Sequence, residues 1–380
     1  MPRALYLTHK EIYPVLGGDQ VRFSQIASLL ADSYDVDTVS LTHDPTAQPA
    51  HLYDPRLSAD SRVIYVPPLR RYMRAARTAV NRLPEFVNHY RDPALMAWVR
   101  DRAADYDLIL CGSAAMAQYA DRLGHPAAYL DMTDSMALNN LNASRTARAL
   151  HAAMLRDQCR RMTRYEARCR DAFRGVAYIS EVDRTFVGRH AERTAIVSNW
   201  VDIPDAPPAA AQRAESAAPE LLFVGRMSYR PNIEAVQFMA ARLPEGAHLT
   251  IAGAAPSPEV VALESDCVHV TGRVAELSAF FRSADLVVAP MLSGSGIQNK
   301  ILQAMAHGCC VLTTPIGADG LDTSAGAFAV AVPDGFAAAA AALLADPARR
   351  AAIGESGRAY VESHFSRSRV AEQFARFISL

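Results

Sequence analysis

Residues 289–321 read APMLSGSGIQNKILQAMAHGCCVLTTPIGADGL. The apolar run Leu286-Val287-Val288-Ala289 leads into this stretch and stops at Pro290, and the turn Ser293-Gly294-Ser295-Gly296 follows. From Ile297 to His307, the residues Ile297, Ile301, Leu302 and Met305 recur at helical spacing, which predicts a helix with one buried face. Gly308 ends that helix, and Cys310-Val311-Leu312 starts a second strand at once. Strand, glycine–serine turn and helix in this order make an anion site, because free N–H groups and the positive helix end both face the ligand. Lys300 sits in the first predicted turn, where a cation opposes the helix dipole, so helix stabilisation explains it poorly. A cation beside free N–H groups suits a diphosphate. Taken alone, the segment also reads as an ordinary strand–turn–helix with a solvated lysine.

The same alternation runs through the rest of the chain. In the first half, buried-type strands are expected at residues 4–8, 36–41, 108–111, 127–130 and 175–179. A helix over 20–31 follows the loop Leu16-Gly17-Gly18-Asp19, although no full GxGxxG fingerprint is present. The longest helical pattern is 145–173. In the second half, strands are expected at 220–224, 249–252, 268–270, 286–289 and 310–314, with helical sequence from 336 to the end. Strands interleaved with helices predict an α/β fold of two Rossmann-like domains, 1–202 and 220–367. The proline- and alanine-rich stretch 203–219 is the expected linker.

Half of the 380 residues are hydrophobic, enough for two domains with their own cores. Met1-Pro2-Arg3 leads straight into a strand, so no signal peptide is read, and the apolar run 336–345 falls far short of a membrane span. The six cysteines show no metal-ligand spacing, which suits reduced thiols in the cytoplasm and no metal site. The net charge of −1 argues against nucleic acid. It hides an asymmetry, because residues 1–201 carry 26 Lys and Arg against 22 acids, and residues 202–380 carry 13 against 18. Arg70, Arg71, Arg74, Arg77 and Arg82 share one predicted helical stretch with Tyr72, Met73 and Val80. That mixture suits peripheral contact with an anionic membrane face or a phosphorylated acceptor, and equally a solvated helix face.

The run SGSGIQNKILQAMAHGCCVLTTPIGADGL resembles the donor-binding region of family 4 glycosyltransferases, most closely the exosortase-associated sugar transferases. The segments LTHKEIYPVLGGDQVRFSQIASLLA, YLDMTDS, YEARCRDAFRGVAYISEVD and FVGRMSYRPNIEAV follow in the family's order. The resemblance implies the GT-B architecture, two Rossmann-like domains facing across a cleft, with the last helix (368–380) crossing back to the first domain. It also implies retaining, metal-independent transfer of a sugar from a nucleoside diphosphate donor, of UDP or GDP type, to a glycan, lipid-linked or small-molecule acceptor. No separate cofactor is implied.

The resemblance carries roles to individual residues. Gly17 and Gly18 supply backbone N–H groups to phosphate. Arg226 stands where the family often places a diphosphate-contacting arginine, and Arg230 substitutes for a lysine whose place is taken by Pro231. Lys300 is the second cation. Arg273 and Val274 fall in the loop that holds the nucleobase, and Gly296, Ile297, Gln298 and Asn299 form the donor turn. Ser295 and Gln303 occupy the places of two family glutamates, so both carboxylates are missing, and Ser295, Asn299 and Gln303 are expected along one helix side. Asp131 and Asp134 are candidates to orient or deprotonate the acceptor hydroxyl, with His9 a third. A cap role for Asp131 is the alternative. An epimerase, an inverting transferase or a catalytically weak nucleotide-binding scaffold remain open on the same residues.

Overall fold

The computed structural model describes residues 1–188, 191–205, 218–294 and 296–380. The chain divides into two compact units, Met1–Asn199 together with Val370–Leu380, and Trp200–Arg369. Residues 206–217 of the expected linker lie outside the described residues.

The first unit is built on seven strands: β1 (Arg3–Thr8), β2 (Asp35–Thr42), β3 (Arg62–Tyr65), β4 (Leu108–Gly112), β5 (Ala128–Asp131), β6 (Gly175–Tyr178) and β7 (Thr194–Ile196). They pair in parallel in the order β3-β2-β1-β4-β5-β6-β7. Parallel strands covered on both faces need continuous apolar runs, and the central β1 and β4 supply them. The edge strands β3 and β7 were not expected from sequence, and both are short and only partly buried. The order reverses between β1 and β4. Ligands of doubly wound sheets bind at such a switch point, beyond the carboxyl ends of the strands.

The long helical pattern at 145–173 is the helix Ala149–Ala172, and the pattern's first two residues instead end a separate helix, Met136–Thr146. Ala147 and Arg148, with ψ of 154° and 153°, separate them. The basic stretch around residue 70 is the helix Pro68–Ala75 followed by a 3-10 turn, Ala76–Ala79. The last helix, Arg367–Ile378, brings Phe377 fully inside the first unit against Tyr129, and the Tyr129 hydroxyl donates to Ile378 O at 2.7 Å.

The second unit carries β8 (Glu220–Val224), β9 (His248–Ala252), β10 (Val268–Gly272), β11 (Leu286–Ala289), β12 (Val311–Thr313) and β13 (Ala329–Val330), parallel and in the order β10-β9-β8-β11-β12-β13. Its switch point lies between β8 and β11, where Leu286 pairs with Leu221 and Val287 with Leu222. Among the described residues no helix is long and apolar enough to cross a membrane.

Candidate functional site

In the second unit, glycines let the ends of β8 and β9 pack backbone to backbone beside the switch point. A Cβ on Gly253 would stand 1.7 Å from Gly225 O, and one on Gly225 would stand 2.7 Å from Asn232 Nδ2 and 3.4 Å from Lys300 Cε. The resulting shelf holds Lys300. Its Nζ donates to Gln298 Oε1 at 3.0 Å, lies 3.6 Å from Met291 Sδ and stands 5.5 Å over the Phe223 ring. No carboxylate is among these neighbours, and burial lowers the lysine to about 8. A partly buried ammonium on an apolar floor is short of a counter-charge, which an anionic ligand would supply.

The helix after this turn is Asn299–Ala306, two residues shorter at its start than the spacing predicted. Gly294 and Gly296 have φ of 114° and 71°, and Gln298 is extended, so the chain cannot enter the helix earlier. Ser295 lies outside the described residues. Asn299 opens the helix and Gln303, half-buried, stands one turn on, with its carbonyl accepting from His307 Nδ1 at 2.8 Å. Ile297 packs into the core beside Ile301 and Leu302. Gly296 N–H donates to the Asp319 carboxylate from the loop after β12, so that turn amide is already engaged.

Arg226 directly follows Gly225. Its Nε donates to Ser228 Oγ at 3.0 Å, and its carbonyl accepts from Asn232 Nδ2 at 2.9 Å. Arg230 is placed differently from Lys300. It is 64 % exposed and paired with Glu234 at 2.9 Å and Glu259 at 3.3 Å. Glu234 also accepts from Ser293 Oγ at 2.6 Å, which ties the serine–glycine turn to the neighbouring helix. Arg273 is exposed and Val274 half-buried, beyond β10, with β9 standing between them and the Lys300 shelf.

In the first unit a second group gathers at the β1–β4 switch point. His9, just past β1, bonds Ser113 Oγ through Nδ1 at 2.9 Å, and its Nε2 lies 3.9 Å from Asp19 Oδ2. Phe23, Phe86 and Tyr90 enclose the imidazole edge-on, and burial lowers its pKa against the pull of Asp19. Gly17 caps the helix Gly18–Ala31 in an extended conformation, and the space where Gly18 would carry a Cβ is open.

Asp131 has no oxygen to offer a substrate. It is fully buried, and Arg22 takes both of its oxygens, at 2.8 and 2.9 Å. Asp134 differs. It is half-buried, and burial first, then the charges of Asp183, Asp19 and Asp131, push its carboxyl up to about 7 against the pull of Arg22. A carboxyl with that pKa can take up a hydroxyl proton at neutral pH. Between the two acids, Thr133 has φ of 63° and a buried hydroxyl without a hydrogen-bond partner, and Ser113 has φ of 118°. Strained backbone at both strand ends marks this region as held in place by its surroundings.

Reasoning from sequence missed Arg22, Asp19, Ser113 and Asp319. Arg22 alone carried a signal, a charge one helical turn before Ile26 and two before Leu29 on a buried stripe. A separate cavity of about 830 Å³ lies at the opposite ends of β4 and β5, beside Tyr106 and His125, and no predicted site residue lines it.

Residues 218–346, which contain the Lys300 shelf, match a protein-family model described as glycosyl transferases group 1. No curated protein sequence matches the chain. Solved structures match across its whole length. Sucrose-phosphate synthase from Thermosynechococcus elongatus is 18% identical, with 99% of this chain and 98% of that one covered and a TM-score of 0.70. HepE from Anabaena, in complex with UDP and glucose, is 15% identical, with both chains fully covered and a TM-score of 0.71. WaaG, a glycosyltransferase involved in lipopolysaccharide biosynthesis, is 17% identical, with 99% of each chain covered and a TM-score of 0.67. The fold, two parallel-sheet α/β units, is that of GT-B glycosyltransferases.

Proposed function

We propose that the chain is a retaining glycosyltransferase of the group 1 type. In this reading it moves a sugar from a UDP- or GDP-type donor to a hydroxyl of a glycan, lipid-linked or small-molecule acceptor, in the cytoplasm and without a metal. The observation that carries the reading is Lys300, an ammonium on an apolar floor at a β-sheet switch point, within the segment that matches the family model. The chemical task is to stabilise charge as it builds on the leaving diphosphate. Lys300 meets that charge as a point cation and Arg226 with a planar fork, beside the backbone of Gly225. Gln303 bonds ribose hydroxyls as a neutral amide. Asp134 takes the acceptor proton, His9 serves as a neutral hydrogen-bonding partner to the acceptor, and Asp131 holds Arg22.

Thermal-shift titration with UDP-, GDP-, ADP- and TDP-sugars tests donor binding, because a ligand stabilises the state it binds. Incubation of the stabilising donor with excess chelator then reads slow hydrolysis. Free sugar with the donor's anomeric configuration supports retention, and the inverted anomer refutes it. Binding without turnover in any acceptor mixture would leave a nucleotide-binding protein. Stabilisation by none of the donors would sink the reading.

A further inference from the structure

The helix Pro68–Ala75 carries its apolar side outward. Leu69, Tyr72 and Met73, spaced i, i+3 and i+4, share one face and are 72%, 68% and 65% exposed. Arg74 fixes that orientation by turning inward to Asp92, at 2.7 Å and with its side chain only 12% exposed, so it is not one of the surface cations. Val80, beyond the helix, is 89% exposed.

A second element joins this surface. Arg161, on the helix Ala149–Ala172, donates to the carbonyls of Thr78 and Asn81 at 3.3 and 3.1 Å, on either side of Val80. Gln158 on the same helix accepts from Glu85 N–H at 2.9 Å. The first turns of that helix present Leu150 and Met154, 79% and 60% exposed. Exposed apolar groups of this size in one region mark an interaction site, because scattered single residues are what a solvated surface ordinarily shows.

The charge around them is predominantly positive. Arg70, Arg77, Arg82, Arg148, Arg156 and Arg160 are exposed on these elements. Of the acids there, Asp157 is held by Arg161 at 2.6 Å and Glu85 faces His89 at 3.5 Å.

We propose that this face of the first unit docks on an anionic lipid bilayer. Leu69, Tyr72, Met73, Val80, Leu150 and Met154 enter the boundary between headgroups and acyl chains, while the arginines meet lipid phosphates. Charge favours lipid over a second copy, since a face of arginines repels itself. The inference stands apart from the transfer reaction, and lipid binding is measured without donor or acceptor.

The test is co-sedimentation with vesicles of phosphatidylcholine alone and of phosphatidylcholine mixed with phosphatidylglycerol. Anionic vesicles are expected to bind the protein at least about tenfold more strongly, with the difference shrinking as salt rises. The triple variant Leu69→Ser, Tyr72→Ser, Met73→Ser, and separately the pair Leu150→Ser, Met154→Ser, should each weaken binding several-fold. Arg70→Glu with Arg77→Glu should abolish the anionic preference. All these side chains are exposed, so thermal melts should stay at the wild-type value, and either apolar variant suffices if the other fails to fold. Absence of binding to anionic vesicles, or binding untouched by all three variants, overturns the proposal. So does a concentration-dependent dimer, in sedimentation equilibrium, that the same variants dissociate.

Discussion

Arg22 and Asp131 stand 109 residues apart and meet as fully buried partners, with guanidinium Nε on one carboxylate oxygen at 2.8 Å and Nη2 on the other at 2.9 Å. The remaining nitrogen, Nη1, donates to Ser198 O at 2.9 Å and to Asn199 Oδ1 at 3.3 Å. One side chain therefore ties the first helix, the end of β5 and the segment beyond β7. Removing one member leaves a buried charge unpaired, which costs about 3–5 kcal/mol. Arg22→Leu should lower stability by that amount in denaturant titrations. Adding Asp131→Leu to Arg22→Leu should recover much of the loss, and an additive further loss would contradict the pairing argument.

Lys300→Ala and Arg226→Ala should each lower affinity for the matching nucleoside diphosphate about tenfold or more, from roughly 1.5–3 kcal/mol per charge-assisted hydrogen bond. Arg230→Ala should change it little, because Glu234 and Glu259 already hold that side chain. Lys300 without ligand loses its proton near pH 8, and only its charged form attracts the diphosphate. Wild-type affinity should therefore fall as pH rises above about 8, and the fall should vanish in Lys300→Ala. Calorimetry at a series of pH values reads both effects.

Gly253→Ala should be far more damaging than Gly246→Ala. Both glycines have positive φ, 156° and 71°, so both substitutions strain the backbone by about 1–3 kcal/mol. Only Gly253 faces another backbone at the Cβ position, whereas nothing lies within 4 Å of that position on Gly246. Melting temperatures of the two variants give the comparison, and equal losses would show that strain alone decides.

Asp134 and Glu166 both hold protons up to about pH 7, chiefly because burial penalises their charge. At these two carboxyls the folded protein binds more protons than the unfolded chain between about pH 4 and 7, so their contribution to stability declines as pH rises through that window. Thermal melts across this range should show a shallower decline for Asp134→Asn than for wild type. A parallel decline in the variant would remove Asp134 as a source of the slope.

The interior strands could be located from sequence because they are continuous apolar runs, such as Leu286-Val287-Val288-Ala289, and burial on both faces requires such runs. The edge strands β3, β7 and β13 are short and partly solvated, and the apolar runs that hold them, such as Val63-Ile64-Tyr65-Val66, do not by themselves say which runs become strands. Nothing in the sequence marks the break at Ala147-Arg148, where neither glycine nor proline stands. Lys300 was legible as a cation out of place on its helix, but its apolar floor was not, because Phe223 arrives from β8 and Met291 folds back from the loop after β11. Asp131 and Asp134 were both acceptor-side candidates in YLDMTDS. Only Arg22 separates them, closing on one and leaving the other to its neighbours' charges.

The connectivity of the units has a consequence for synthesis. Phe377 and Ile378 complete the first unit against Tyr129, yet the whole of the second unit is translated before them. While the ribosome is still making residues 200–369, the first sheet must wait with the ground around Tyr129 and Gly175 bare. The later-made unit has its last core residues by Phe365, still ahead of Phe377 and Ile378. A stalled or truncated chain would then present a folded second unit on an unfinished first one, a species for chaperones and proteases to recognise.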